Sequence, residues 1–205
     1  FLDDLDMIED RSVYVSLTKR GYIKRVNSET YRTYNRGAMG VAGHGLKDED
    51  SSLKLVRADT LDKMLFFTDR GKVYAEYVFR IPDAGRTDKG STAISFINLE
   101  PEERITEMIN IREFSNDQFL LMGTAAGKVK RTPLSDFANI RSKGIIAMGM
   151  EDGDELLWAK LTSGNDDVVI VSRGGKGLRF NETKIRAMGR TASGVRAMKL
   201  AEGDA

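Results

Sequence analysis

Thr18-Lys19-Arg20-Gly21-Tyr22-Ile23-Lys24-Arg25 reads as the end of one strand, a glycine turn and the start of a second strand, and the chain repeats this pattern three more times. The later copies are Thr68-Asp69-Arg70-Gly71-Lys72-Val73-Tyr74, Thr124-Ala125-Ala126-Gly127-Lys128-Val129-Lys130-Arg131 and Ser172-Arg173-Gly174-Gly175-Lys176-Gly177-Leu178-Arg179. Their turn glycines Gly21, Gly71, Gly127 and Gly175 fall 50, 56 and 48 residues apart. A period near 50 residues marks a repeat architecture. Short apolar runs at 13–17, 64–67, 119–122 and 168–171 lead into the turns, so each copy reads as a β-hairpin. Further strands are expected at 53–56, 105–109 and 156–161, and others near Gly40, Gly90, Gly144 and Gly194. Four strands per repeat is the size of one propeller-type blade. The expected fold is all-β, an array of about four four-stranded blades. The repeats span approximately 13–60, 61–115, 116–164 and 165–205, with 1–12 as a linker or arm. The chain begins at Phe1 and ends inside its fourth repeat, which reads as a fragment of a longer polypeptide.

Charge follows the repeat. The segments 18–40, 68–90, 124–144 and 172–196 together carry a net charge of +16, and the remaining residues carry −15. A net charge of +1 therefore conceals two opposed populations. A basic surface built by repetition attracts polyanions, and an acidic remainder suppresses indiscriminate adhesion.

The candidate contacts come from two places in each repeat. At the hairpins they are Arg20, Lys24, Arg25, Arg70, Lys72, Lys128, Lys130, Arg131, Arg173, Lys176 and Arg179. In the connections they are Arg32, Arg36, Arg86, Lys89, Arg141, Lys143, Arg186, Arg190 and Arg196. Turn glycines let a backbone come close, and Lys or Arg beside them neutralises phosphates. A solvated, charge-protected β edge is the bland alternative for any one hairpin; recurrence in all four favours a polyanion surface. Replacing Lys24/Arg25 and Lys130/Arg131 by Glu is accordingly expected to abolish retention on a phosphate polyanion in moderate salt and to leave the fold intact.

Other chemistry finds little support. Arg173-Gly174-Gly175-Lys176-Gly177 lacks the spacing and the following Ser or Thr of a phosphate loop. His44 is the single histidine and stands between two glycines. Asp48-Glu49-Asp50 and Glu151-Asp152-Gly153-Asp154 read as solvated turns rather than cation loops. Neither a metal cluster nor a nucleophile with its base emerges, so no catalytic residue, metal or cofactor is expected. The absence of cysteine removes disulfides and suits a reducing cytoplasm. No apolar run reaches the ~20 residues of a membrane span.

These motifs, together with Lys130-Arg131-Thr132-Pro133-Leu134-Ser135-Asp136-Phe137 and Met188-Gly189-Arg190-Thr191-Ala192-Ser193-Gly194-Val195-Arg196, resemble the C-terminal domain of the DNA gyrase A protein family over essentially the whole chain. The resemblance implies a six-bladed β-pinwheel whose neighbouring blades exchange strands and whose basic rim binds, bends and wraps double-stranded DNA. It implies a non-catalytic domain of an ATP-hydrolysing type II topoisomerase in the bacterial cytoplasm, at the nucleoid, contributing to DNA supercoiling. The partners would be the remainder of the gyrase A protein and the ATPase-bearing gyrase B protein. ATP, magnesium and the catalytic tyrosine would belong to other parts of that assembly. The family's box, Gln-basic-Arg-Gly-Gly-Lys-Gly, falls at Tyr34-Asn35-Arg36-Gly37-Ala38-Met39-Gly40, where Arg36, Gly37 and Gly40 are retained. Because that box fastens the wrap, its departure raises the alternative of a topoisomerase IV-like decatenation guide with weak wrapping. A propeller-like scaffold for an acidic protein is the alternative from another class.

Overall fold

A computed structural model describes residues 3–32 and 52–197. The expected strand near Gly40 and the box at Tyr34–Gly40 lie outside these residues, as do His44 and Asp48-Glu49-Asp50. Among the described residues, no helix is long and apolar enough to cross a membrane.

Short helical turns α1 (Asp3–Asp6) and α2 (Ser28–Arg32) flank the first hairpin, β1 (Ser12–Thr18) and β2 (Tyr22–Asn27). Strand β3 (Ser52–Asp59) follows, then the hairpin of β4 (Lys63–Thr68) and β5 (Lys72–Tyr77), then β6 (Ser91–Thr92) and β7 (Ile105–Ile111). The third hairpin is β8 (Phe119–Thr124) with β9 (Lys128–Pro133), followed by β10 (Ile145–Ile146) and β11 (Leu156–Thr162). The fourth is β12 (Asp167–Val171) with β13 (Gly177–Asn181), followed by β14 (Val195–Arg196).

The sheet orders are β3-β1-β2-β6, β10-β5-β4-β7, β11-β8-β9-β14 and β12-β13. Each of the first three hairpins thus receives its fourth strand from the repeat that follows it. Strand β6 lies in the second repeat but pairs with β2, β10 pairs with β5, and β14 pairs with β9. The fourth sheet departs from the expected four strands: among the described residues it holds the hairpin alone. The reason lies in the exchange, because a sheet's flanking strands come from residues after its own hairpin.

The chain divides into two compact units. The first takes in residues up to Leu65, Ala75–Glu102 and Asn110–Arg112, and the second takes in Phe66–Tyr74, Glu103–Ile109 and residues from Glu113 onward. In the first, Val13, Val15, Leu17, Ile23 and Val26 are buried along β1 and β2. The segment before β1 is tied down by Thr60, whose hydroxyl donates to the Glu9 carbonyl and accepts from the Arg11 amide at 2.7 and 2.9 Å. In the second, Leu121, Val129, Phe180, Ile185 and Ala197 form one cluster, with Trp158 packed against it. Gly123 makes room for that tryptophan, since a Cβ there would come within 2.2 Å of the indole ring.

Candidate nucleic-acid interface

Strand exchange decides where the basic residues meet. Each donated strand is only two residues long and pairs beside the glycine turn of the hairpin it joins. Thr92 faces Tyr22, Ile146 faces Lys72, and Arg196 faces Lys128. The next residue locks the join: the amides of Ala93, Ala147 and Ala197 donate to the carbonyls of Gly21, Gly71 and Gly127 at 2.8, 2.8 and 2.9 Å. The hairpin bases and the connection bases, separate in sequence, therefore converge on one end of each four-stranded sheet.

The connections approach so closely that glycine is required. Gly90 and Gly194 have φ of +85° and +79°. A Cβ would also fall 2.4 Å from the Ile23 carbonyl oxygen at Gly90 and 2.3 Å from that of Val129 at Gly194. The turn glycines Gly21 and Gly127 have similar φ but open space around them.

Of the candidate contacts, Arg20, Arg70, Arg141, Lys143, Arg173, Lys176, Arg179, Arg186 and Arg196 are exposed, and Lys72, Lys89, Lys128 and Arg190 are half-buried. The position after the turn glycine is a lysine in three repeats and Tyr22 in the first. There the connection supplies the cation instead, with Lys89 Nζ 3.5 Å from the Tyr22 ring centroid. Several of these cations already hold protein groups. Arg179 donates to Asp167 at 3.0 Å, Arg190 to the Ile146 carbonyl at 3.3 Å, and Lys128 to Glu151.

Five candidates are corrected. Lys24 and Lys130 are fully buried, and Arg86 and Arg131 are each 9 % exposed. Lys24 Nζ donates to the carbonyls of Gly85, Arg86 and Asp88 at 3.1, 2.6 and 2.9 Å. Lys130 Nζ donates to those of Ala147, Gly189 and Arg190 at 2.5, 3.0 and 2.6 Å. These carbonyls belong to the connections that carry the donated strands, so each ammonium secures an exchange rather than facing a phosphate. A buried charge needs such partners. Burial, reinforced by nearby Arg190 and opposed by Asp136, lowers the Lys130 ammonium to about 8. Burial also lowers Lys24, against the raising effect of Asp88 and with a smaller lowering from Arg86.

Arg25 is the fifth correction, and the arginine after each lysine holds the next repeat. Arg25, half-buried, donates to the carbonyls of Ile81 and Phe79 at 3.0 and 3.3 Å. Arg131 lies 4.4 Å from the Phe119 ring centroid and 3.2 Å from the buried Glu182 carboxylate. Reversing Lys24/Arg25 and Lys130/Arg131 would consequently break the fold, which overturns the expectation that it survives. The middle sheet solves the same position differently. Tyr74 stands where the neighbouring repeats have Lys24 and Lys130, and its hydroxyl donates to the buried Glu103 carboxylate at 2.6 Å.

The side chain of Arg32, together with Arg36 and the rest of the box, lies outside the described residues. Two charged residues at the hairpin tips were not among the candidates. Lys19 is exposed at the first tip, and its signal was present in the quoted motif. Glu151 sits against Lys128; nothing in its local sequence distinguishes it from a solvated turn acid. Among the described residues, no group of three or more His, Cys, Asp or Glu is placed to hold a metal ion.

Comparison with known proteins agrees with this architecture. The family described as DNA gyrase C-terminal domain, beta-propeller, matches residues 14–51, 62–112, 118–163 and 166–205. The DNA gyrase A protein of Clostridium acetobutylicum is 38% identical over 95% of this chain, and that of Halalkalibacterium halodurans is 42% identical over 96%. The chain spans 24% of the length of each. Among solved structures, a DNA topoisomerase IV C-terminal domain superposes with a TM-score of 0.76 at 29% identity, covering 93% of this chain and 58% of that one. A DNA gyrase A C-terminal domain gives 0.70 at 26%, covering 91% and 60%. With an all-β pinwheel of strand-exchanged sheets and matches along all four repeats, the chain belongs to the DNA gyrase C-terminal domain family.

Proposed function

We propose that this chain is the duplex-DNA-binding and DNA-bending domain of a bacterial type II topoisomerase, within a protein of the gyrase A kind. The observation that carries the reading is the convergence of hairpin and connection cations at the glycine-turn end of each four-stranded sheet. Exposed Arg20 in the first sheet, Arg70, Arg141 and Lys143 in the second, and Arg196 in the third are the phosphate contacts. Arg173 and Lys176 add the tip of the fourth hairpin. Such contacts carry little base information and give affinity that falls steeply with salt. Bending a duplex of 20–30 base pairs by 40–90° costs about 1–6 kcal/mol, which added phosphate contacts offset. The domain contributes no bond chemistry; strand passage and ATP hydrolysis fall to the remainder of the gyrase A-type protein and to a gyrase B-type ATPase in the bacterial cytoplasm.

Ligation of nicked circular duplex with increasing amounts of the chain tests the wrapping component. A linking-number shift of one consistent sign supports a gyrase-type contribution to supercoiling. Binding without a shift favours a topoisomerase IV-like guide, a second reading motivated by the superposition on that protein's domain. Failure to retain duplex DNA even at low salt contradicts the proposal and turns attention to an acidic protein partner.

A further inference from the structure

We propose that Glu151 is an internal competitor that withholds Lys128 from the phosphate backbone and so sets how tightly the third tip grips DNA. The inference rests on the phosphate-contact reading above. The turn between β10 and β11 folds back onto the tip of the β8–β9 hairpin. Asp154 Oδ1 accepts from the Ala126 amide at 2.9 Å, and the Ala125 amide donates to the Glu155 carbonyl at 2.9 Å. This clamp brings Glu151 to Lys128, whose ammonium donates to Glu151 Oε1. The lysine side chain is 16 % exposed and the glutamate side chain 61 %, so an approaching polyanion meets the carboxylate more readily than the ammonium.

In sequence, Ala201-Glu202-Gly203-Asp204 echoes Glu151-Asp152-Gly153-Asp154, and alanine stands where the third repeat has Glu151. Lys176, the counterpart of Lys128 in the fourth hairpin, is exposed. At this repeat position Lys128 is thus covered by a carboxylate while Lys176 is exposed. A carboxylate mimics a phosphate oxygen as a lysine partner, and an ion pair with one partner this exposed is weak enough to exchange. While Glu151 holds it, Lys128 adds no phosphate contact and releases no counterion from DNA.

Random-sequence duplex, titrated by fluorescence anisotropy across a range of salt, tests this. Glu151→Gln is expected to tighten binding about two- to fivefold at low salt, the size of a surface ion pair. It should also steepen the slope of log K against log salt by about one, because one phosphate contact is added. Asp152→Asn removes the same charge from an exposed neighbour and should leave the slope unchanged. In a Lys128→Gln background, Glu151→Gln should have little effect. Equal behaviour of Glu151→Gln and Asp152→Asn, or no change with Glu151→Gln, overturns the competitor. Wild-type protein that fails to bind duplex at any salt overturns the DNA reading and this inference with it; binding without the Glu151 effect overturns the inference alone.

Discussion

The tip of the third hairpin and the strand interior two residues below it carry the same residue type to opposite ends. Lys128, at the tip, is half-buried and paired to an exposed carboxylate, so solvent and ligands compete for it. Lys130 on the same strand is fully buried and holds three carbonyls of the connections that bring in β10 and β14. Side-chain alternation does not separate them, because residues two apart share a face of a strand. What separates them is the loop that the neighbouring repeat lays over one and not the other. A basic stretch in a strand-exchanged fold therefore holds two populations, one that fastens the repeats together and one that remains for a partner.

The largest effect should follow from breaking the buried member. Lys130→Met leaves three carbonyls without their shared donor, and is expected to cost about 3–5 kcal/mol, read as a lowered denaturation midpoint. A loss below about 1 kcal/mol would mean that the connections hold without the ammonium. Next in size is the contrast between two glycines. Gly194→Ala meets both a positive φ and the Val129 carbonyl, and should destabilise by about 2–4 kcal/mol. Gly127→Ala meets the positive φ alone and should cost about 1–2 kcal/mol in the same measurement. Equal losses would refute the close-approach role of Gly194.

A smaller effect sharpens the electrostatics. The folded-state value for Lys130 is about 8, below its ordinary 10.5. Between those values the unfolded chain holds a proton that the folded chain has released, so this group makes stability rise with pH. The stability difference between wild type and Lys130→Met should widen from pH 7.5 to 10, and the Nζ resonance of Lys130 should titrate near 8. A midpoint above 10 would show that the three carbonyls outweigh burial.

Much of the architecture was legible in sequence because it depends on local chemistry. The four glycine turns, the apolar runs before them and the second set of glycines mark where the backbone turns or touches. The direction of exchange was not legible from periodicity, since donated strands of two residues such as Ser91–Thr92 leave no pattern. The site was legible as a population but not residue by residue. Lys24-Arg25 and Lys130-Arg131 look like the most basic surface in the chain, yet Lys24, Arg25 and Lys130 hold backbone carbonyls up to 64 residues away, and Arg131 holds the Glu182 carboxylate. Backbone carbonyls have no sequence signature. Arg20, Arg141 and Arg173 are exposed, as their places in glycine turns and a short connection led one to expect.

The central claim is that exposed tip cations bind duplex DNA while the buried lysines only build the fold. Salt-dependent binding of random-sequence duplex, measured for wild type, Arg173→Gln/Lys176→Gln and Lys130→Met under conditions where all three are folded, tests it most directly. The account predicts that Arg173→Gln/Lys176→Gln weakens binding and flattens the slope of log K against log salt by about two, one per lost phosphate contact. It predicts that folded Lys130→Met keeps the wild-type slope. A flattened slope for Lys130→Met with an unchanged one for Arg173→Gln/Lys176→Gln would contradict it.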